Sequence, residues 1–302
     1  MLKDTLLYLA QNQQMRNFVV QNSLARKISH RFVAGETLDD AVEAARGLNK
    51  RGIQVALDLL GENVADEEEA RLSTQNYIAA VERIKQTGID ANISVKLTAL
   101  GLDISQDLCA QNLRTILECA RQYSIFVCMD MEGSAYTERT VDMTLRAHEQ
   151  FEQIGTVIQS YLFRSRKDVE QLVQNGVRLR LVKGAYKESP TIAYQNKNDV
   201  DRNYIRLITM LLAQGNFPAI ATHDQTMIDA ARHYMRDHGI SKEAFEFQML
   251  YGIRRDLQEQ LVQKGYNVRV YVPYGAQWYP YLMRRMAERP ANLMFVVSNS
   301  MR

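Results

Sequence analysis

Eight short apolar runs recur along this chain, each ending in polar residues and each followed by a helix-length segment. The runs are 53–61 (IQVALDLLG), 91–100 (ANISVKLTAL), 124–132 (SIFVCMDME), 155–162 (GTVIQSYL), 176–184 (GVRLRLVKG), 218–224 (PAIATHD), 245–250 (FEFQML) and 267–275 (NVRVYVPYG). They are rich in Val and Ile. Several are almost continuously apolar, as strands buried on both faces should be. The intervening segments carry helix signals. DEEEARLSTQNYIAAVERIKQTG crowds acids into its first turn and stops at Gly88. SRKDVEQLVQNG opens on a Ser165/Asp168 capping pattern and stops at Gly176. Gly215, Gly239 and Gly265 stand where left-handed helix caps are expected before later strands.

Strand-then-helix units of about 25–35 residues, repeated eight times, predict an α/β protein whose parallel strands close into a (βα)8 barrel of the TIM type. An open, doubly wound sheet is the alternative; it is disfavoured because no GxGxxG follows the first strand. Residues 1–50 stand outside the rhythm but are helical by pattern (LLYLAQNQQMRNFVV, then LDDAVEAARGLNKRG). The expected division is an N-terminal helical extension over 1–45, given no part in the chemistry, and a barrel domain over 46–302. Residues 187–199 lengthen the fifth strand-to-helix connection and are a candidate lid or cofactor contact.

Composition narrows the class without naming it. The chain has 302 residues, 46% hydrophobic and 24% charged, which is ordinary for a globular protein. A net charge of +2 gives no basic field suited to nucleic acid. Three cysteines, Cys109, Cys119 and Cys128, form no CxxC pair, which points to a reducing compartment and argues against a zinc site. The start MLKDTLLYLA does not read as a signal peptide, and no run of eighteen apolar residues spans a membrane.

The chemistry of a barrel sits at the C-terminal ends of its strands. Those ends supply Asp58, Lys96, Asp130 with Glu132, Gln159, Arg180 with Lys183, Thr222 with His223 and Asp224, Gln248 and Tyr271. Packing alone does not explain so many polar groups, since an unpaired buried charge is costly. Asp130 and Glu132 are expected to face opposite ways and so not to form a paired acid and base. Either Lys96 or Lys183 could serve as a Schiff-base lysine. No second strand-end histidine joins His223, so no metal is expected; His30, His148, His233 and His238 read as helix residues. Near the C-terminus, YLMRRMAERP (281–290) reads as a short helix ended at Arg289-Pro290. Arg284 and Glu288 share a face at i and i+4, and Arg285 lies about 100° round. Two guanidinium forks and a carboxylate suit a small zwitterion. With Lys96, Arg180 and Lys183 they predict an electropositive mouth that takes an anionic ligand.

Taken together, KLTALG (96–101), MDMEGS (129–134), VIQSYL (157–162), RLVKGAY (180–186), ATHD (221–224), FEFQMLYG (245–252), VRVYVPYG (268–275) and YLMRRMAERP (281–290) resemble the proline dehydrogenase family of FAD enzymes, in that family's order. The chain looks like the single-function bacterial form. The resemblance implies a distorted (βα)8 barrel with non-covalent FAD at its C-terminal mouth and the last helix placed over that mouth. It implies oxidation of L-proline to 1-pyrroline-5-carboxylate, the first step of proline catabolism. It further implies a membrane quinone as electron acceptor, a downstream pyrroline-5-carboxylate dehydrogenase, and a cytoplasmic enzyme with peripheral membrane contact.

Carried over to this sequence, Arg284, Arg285 and Lys96 pair with the substrate carboxylate. Tyr271 and Glu288 line the substrate ring, with Tyr281 and Leu250 nearby. Asp130 organises the lysine and substrate site, and Arg180 stands beside the reactive edge of the flavin; these two are the catalytic candidates. Met131, Gln159, Lys183, Gly184, Ala185, Tyr186, Thr222, His223 and Gln248 are the remaining cofactor contacts. Two rival readings stay open on the residues alone: a Schiff-base aldolase on the same barrel, and a non-catalytic amino-acid or flavin binder.

Overall fold

The computed structural model describes residues 30–288, with side chains as far as Arg285. The helix expected over residues 6–20 and the stop at 289–290 lie outside the described residues. Eight strands form one closed parallel barrel in chain order. They are β1 (Gln54–Leu59), β2 (Ala91–Val95), β3 (Val127–Met129), β4 (Ile154–Gln159), β5 (Arg178–Val182), β6 (Ala219–Ala221), β7 (Glu246–Leu250) and β8 (Asn267–Tyr274). Each coincides with one of the eight apolar runs. Closure comes from β1, which pairs with β2 through Asp58↔Ser94 and with β8 through Ala56↔Tyr271.

Nine α-helices are described: α1 (Leu38–Asn49), α2 (Glu67–Thr87), α3 (Gln106–Gln122), α4 (Ser134–His148), α5 (Ser165–Gln174), α6 (Lys197–Gln214), α7 (Gln225–Asp237), α8 (Arg255–Gln263) and α9 (Trp278–Glu288). Their ends follow local chemistry. α1 opens on a reciprocal capping box between Thr37 and Asp40. In α2, Asp66 accepts the Glu69 N–H at 2.9 Å, and Gly88 closes the helix at φ 64°. Three expectations fail. Ser165 caps nothing: its hydroxyl donates back to Leu162 O at 2.7 Å, while Asp168 is taken by Arg164 at 2.8 and 3.1 Å. Gly215 is extended at φ −75°, and the left-handed residue of that turn is Phe217 at φ 44°. His30 sits in a turn, not a helix.

α1 packs against both β1 and β8. Its Ala41, Val42, Ala45 and Leu48 are buried in the main core, so the expected boundary at 45/46 cuts through a core helix. α9 lies elsewhere. Its Trp278, Tyr279, Tyr281, Leu282 and Met283 form a separate apolar cluster with Phe32, Val33 and Leu60. The Trp278 indole N–H donates to Glu36 at 3.1 Å. Residues 32–36 thus anchor the helix that carries the arginine pair, although that region was expected to do nothing for the site.

The barrel interior holds an ionic layer. Glu246 is fully buried, and its carboxylate accepts from Arg269 Nε at 3.1 Å and pairs with Arg178 Nη2 at 2.9 Å. The Arg178 guanidinium lies 4.5 Å from the Phe126 ring and 4.4 Å from the Phe217 ring. Burial works against the Glu246 charge, but the two arginines outweigh it and hold the carboxyl below its usual range.

Candidate active site

A cavity of about 500 Å³ opens at the C-terminal ends of the strands, within the size range of small-molecule sites. Its wall brings together residues from the ends of all eight strands, with Tyr281, Arg284 and Arg285 of α9 completing it. Of the candidate site residues, Lys96, Asp130, Met131, Gln159, Arg180, Lys183, Gly184, Ala185, Tyr186, Thr222, His223, Gln248, Leu250, Tyr271, Tyr281, Arg284 and Arg285 all line it. The Glu288 side chain lies outside the described residues.

The centre of the site is a buried charge cluster. Asp130 accepts from Arg180 Nη1 at 2.8 Å and from the Tyr271 hydroxyl at 2.5 Å. Lys96 Nζ stands 3.6 Å from Asp130 and donates to Asp58. Arg180 also donates to Ser94 at 2.9 Å and lies 5.3 Å from the centre of the Tyr271 ring. Burial pushes the Asp58 carboxyl up to about 6, against the pull of Lys96. It also works against the Lys96 charge, yet Asp58 and Asp130 outweigh it and hold the ammonium well above the usual lysine range. Burial raises the Tyr271 phenol far above its usual value, and Asp130 adds to the rise. Tyr271 is therefore a hydrogen-bond donor at neutral pH and never the anion.

Asp130 and Glu132 do serve separate networks, but not by facing opposite ways on a strand, where residues two apart would share a face. β3 ends at Met129, so strand alternation does not govern either residue. Glu132 turns to Thr98, accepting from its N–H at 3.2 Å and its hydroxyl at 2.6 Å. The mouth is also not simply electropositive. Lys183 is bound to Asp201 at 2.6 Å and Asp224 at 2.8 Å, and Arg284 donates to Glu62 at 2.7 Å. Glu62 and Asp201 follow no strand-end pattern, so the sequence does not single them out. These ion pairs disfavour the Schiff-base alternative. That chemistry needs a neutral amine, whereas Lys96 is held as an ammonium ion and Lys183 is gripped by two carboxylates.

Gln159 and Gln248 are fixed by their amide nitrogens. Gln159 Nε2 donates to Met131 O at 3.3 Å and Glu132 O at 3.2 Å, while its Oε1 is buried with no protein partner. Gln248 Nε2 donates to Glu246 at 2.5 Å. Arg180 Nε is likewise buried and unpartnered. Buried polar atoms are rarely left unsatisfied, so a free acceptor and a free donor on one wall point to a ligand offering both. His223 accepts the Leu250 N–H at 2.8 Å through Nε2, which locks it to β7. Gly184 sits at φ +111°, and a Cβ there would lie 2.4 Å from the Tyr161 ring; only glycine fits.

The family model described as proline dehydrogenase matches residues 41–298. This chain belongs to the proline dehydrogenase family. It is 42% identical over 297 residues to proline dehydrogenase 1 of Bacillus subtilis subsp. natto, covering 98% of each chain. It is 43% identical over 280 residues to the proline dehydrogenase of Deinococcus radiodurans, covering 91% of this chain and 90% of that one. The crystal structure of proline utilization A from Bdellovibrio bacteriovorus inactivated by N-propargylglycine superposes with a TM-score of 0.82 at 27% identity. That match covers 94% of this chain but 38% of the other. Proline dehydrogenases of this family therefore match the chain almost end to end. The larger proline utilization A protein matches it over one portion, on the same barrel.

Proposed function

We propose that this chain is a proline dehydrogenase that oxidises L-proline to 1-pyrroline-5-carboxylate with non-covalently bound FAD and passes the electrons to a quinone. The observation that carries the reading is the cluster Lys96–Asp130–Arg180–Tyr271 at the strand ends, facing Arg284 and Arg285 across one cavity. Full-length similarity to proline dehydrogenases supports it. The residues present fit a flavin. Gln159 Oε1 offers an acceptor and Arg180 Nε a donor, each buried without a protein partner, and an isoalloxazine edge carries both kinds of group.

In this reading Met131, Gln159, Arg180, Lys183, Gly184, Ala185, Tyr186, Thr222, His223 and Gln248 hold the cofactor, which when bound supplies the two-electron acceptor. Arg284, Arg285 and Lys96 orient the proline carboxylate, each as a charge-assisted donor. Arg284 must exchange Glu62 for the substrate, so part of its interaction energy is used in leaving that partner. Asp130 holds the Tyr271 hydroxyl and the Arg180 guanidinium in fixed positions, which gives the substrate ring a rigid floor. Cations around the bound amine lower its proton affinity, the direction like charges impose, and the free amine is the form that can be oxidised. Arg180 remains charged and is placed to stabilise negative charge that develops on the wall it shares with Gln159.

No helix among the described residues is long and apolar enough to cross a membrane. In this reading the enzyme is cytoplasmic and reaches a membrane quinone by peripheral contact, and the product passes to a pyrroline-5-carboxylate dehydrogenase. The test is an anaerobic visible spectrum before and after L-proline. Flavin absorbance near ~450 nm that bleaches with proline supports cofactor, substrate and direction together. A yellow protein that proline leaves unchanged removes the substrate assignment. A colourless protein that FAD does not reconstitute removes the flavin.

A further inference from the structure

Two walls of the cavity have no strand pairing to hold them together. One is the β3–α4 turn with Met131 and Glu132; the other is the β5–α6 turn from Lys183 to Tyr186. β3 and β5 are not neighbours in the barrel. The Glu188 side chain joins the two turns. Its Oε1 accepts the Ser134 N–H at 2.8 Å, and Oε2 accepts the Ser134 hydroxyl at 2.5 Å. The Tyr161 hydroxyl adds a longer contact to Oε1 at 3.4 Å.

The attachment is specific. α4 starts at Gly133, which has no side chain to cap it, so Glu188 supplies the missing acceptor from 54 residues away. A carboxylate there also meets the positive end of the helix dipole. Behind Glu188 the loop is fastened to the β4–α5 turn. Tyr194 N–H donates to Tyr161 O at 2.8 Å, and Phe163 N–H donates to Ile192 O at 3.0 Å. Tyr161 N–H donates in turn to Lys183 O at 2.9 Å, and its ring fills the space beside Gly184. Glu188 itself does not line the cavity. It acts on residues that do.

We propose that Glu188 is a positioning residue. It clasps the β3–α4 turn to the β5–α6 turn and so sets the spacing of the two walls that take the cofactor's ring. This rests on the flavin reading given above. The long fifth connection, a candidate lid or cofactor contact from its length, is then a fixed strap. Removing the clasp loosens the Lys183–Tyr186 wall, which keeps its bonds to Tyr161, Asp201 and Asp224, so it weakens FAD binding and spares proline binding.

The experiment titrates FAD into apoprotein by quenching of flavin fluorescence, for wild type, Glu188→Ala, Glu188→Gln, Ser134→Ala and the Glu188→Ala/Ser134→Ala double variant. Glu188→Ala is expected to raise the FAD Kd about tenfold, and Ser134→Ala by a smaller factor, about threefold. The double variant should match Glu188→Ala alone, because both changes break one contact. Glu188→Gln keeps one carbonyl acceptor and should recover part of the loss. At saturating FAD, the KM for proline should stay within about twofold of wild type in every variant. A merely structural role would lower the thermal midpoint of the apoprotein and leave the FAD Kd unchanged; that result overturns the clasp, as does simple additivity of the two single variants. Wild-type apoprotein that takes up no FAD overturns the flavin reading instead, which keeps the two failures apart.

Discussion

Replacing Asp58 with asparagine keeps the shape of a side chain that is 1% exposed and removes its titration. Burial pushes the Asp58 carboxyl from 3.8 up to about 6 in the folded protein. The folded state therefore keeps this proton to higher pH than the unfolded chain does. Below about pH 4 both states are protonated, and the contribution of this group to stability is fully present. As pH rises from about 4 to about 6 the unfolded chain ionises first, and that contribution is lost. A gap of about 2 pH units amounts to about 3 kcal/mol in all, of which about 2 kcal/mol falls between pH 4.5 and pH 8. The amide of the variant does not titrate. Whatever fixed cost Asp58→Asn imposes on Lys96, which keeps Asp130 at 3.6 Å, stays nearly constant over this range because Lys96 remains an ammonium ion throughout.

The measurement is urea unfolding of both proteins at several pH values with FAD in excess, each extrapolated to water. Stability of the wild type minus that of Asp58→Asn should fall by about 2 kcal/mol from pH 4.5 to pH 8, or by about 4 °C in the difference of thermal midpoints. Charges elsewhere in the protein cancel in the subtraction. A flat difference refutes the argument that burial dominates at Asp58. A difference that rises with pH refutes it more sharply, since the attraction of Lys96 would then outweigh burial. The variant should also bind proline more weakly at neutral pH, because Lys96 loses the partner that steadies it in the wall. Asp58 would then be a charge kept for the site at some cost in stability.

Arg284→Met should raise the proline KM about 5–30-fold and leave FAD binding intact. A charged hydrogen bond of about 1.5–3 kcal/mol is lost, less about 0.5–1 kcal/mol for the exchange with Glu62, which leaves about 1–2 kcal/mol; an unchanged KM would remove Arg284 from the carboxylate clamp. Gly184→Ala should weaken FAD binding, since an alanine at φ +111° costs about 1–3 kcal/mol and its methyl displaces the Tyr161 ring from the wall; fluorescence titration that shows wild-type affinity would take Gly184 out of the cofactor site. Glu246→Gln leaves Arg178 and Arg269 without their buried counter-ion, so it should cost about 3–5 kcal/mol. The thermal midpoint should fall by roughly 6–10 °C, and a shift under about 2 °C would mean that the two guanidinium groups find other partners.

The strands were readable because a closed parallel barrel buries both faces, so each strand imprints a nearly continuous apolar run on the sequence. The groups bordering the cavity were readable because strands of one barrel end at one mouth, so their positions follow from the period alone. Some of their partners were not. Arg284 meets Glu62 across 222 positions and Ser134 meets Glu188 across 54, and both acids come from loops that carry no period. Counting cations at strand ends therefore predicted an electropositive mouth, although Asp58, Asp130 and Asp224 stand at the same strand ends and pair with Lys96, Arg180 and Lys183; only Glu62 and Asp201 stayed out of sight. The buried layer had a visible signal that the strand pattern overrode. Glu246, Arg178 and Arg269 each interrupt an apolar strand, and a charge inside such a run has to find an opposite charge inside the barrel.

The placement of α9 shows why helix pattern alone does not locate a helix. In a barrel of eight repeated units, the last helix would cover the flank of β8. Closure makes β8 the neighbour of β1, so a helix that precedes β1 can cover both. α1 does so, with Ala41, Val42, Ala45 and Leu48 buried in the main core. The flank is filled before α9 is reached, and the apolar side of α9 has to find another surface. Phe32, Val33 and Leu60 provide it, and Glu36 fixes the Trp278 end. Residues 32–36 line no part of the cavity, yet they are what allows Arg284 and Arg285 to face the strand ends. Polar substitution of Phe32 should for that reason act on proline binding more than on the barrel itself, because the apolar cluster it enters is separate from the main core. Proline KM and the thermal midpoint, measured on Phe32→Ser, check this; a large fall in the midpoint with an unchanged KM would refute it.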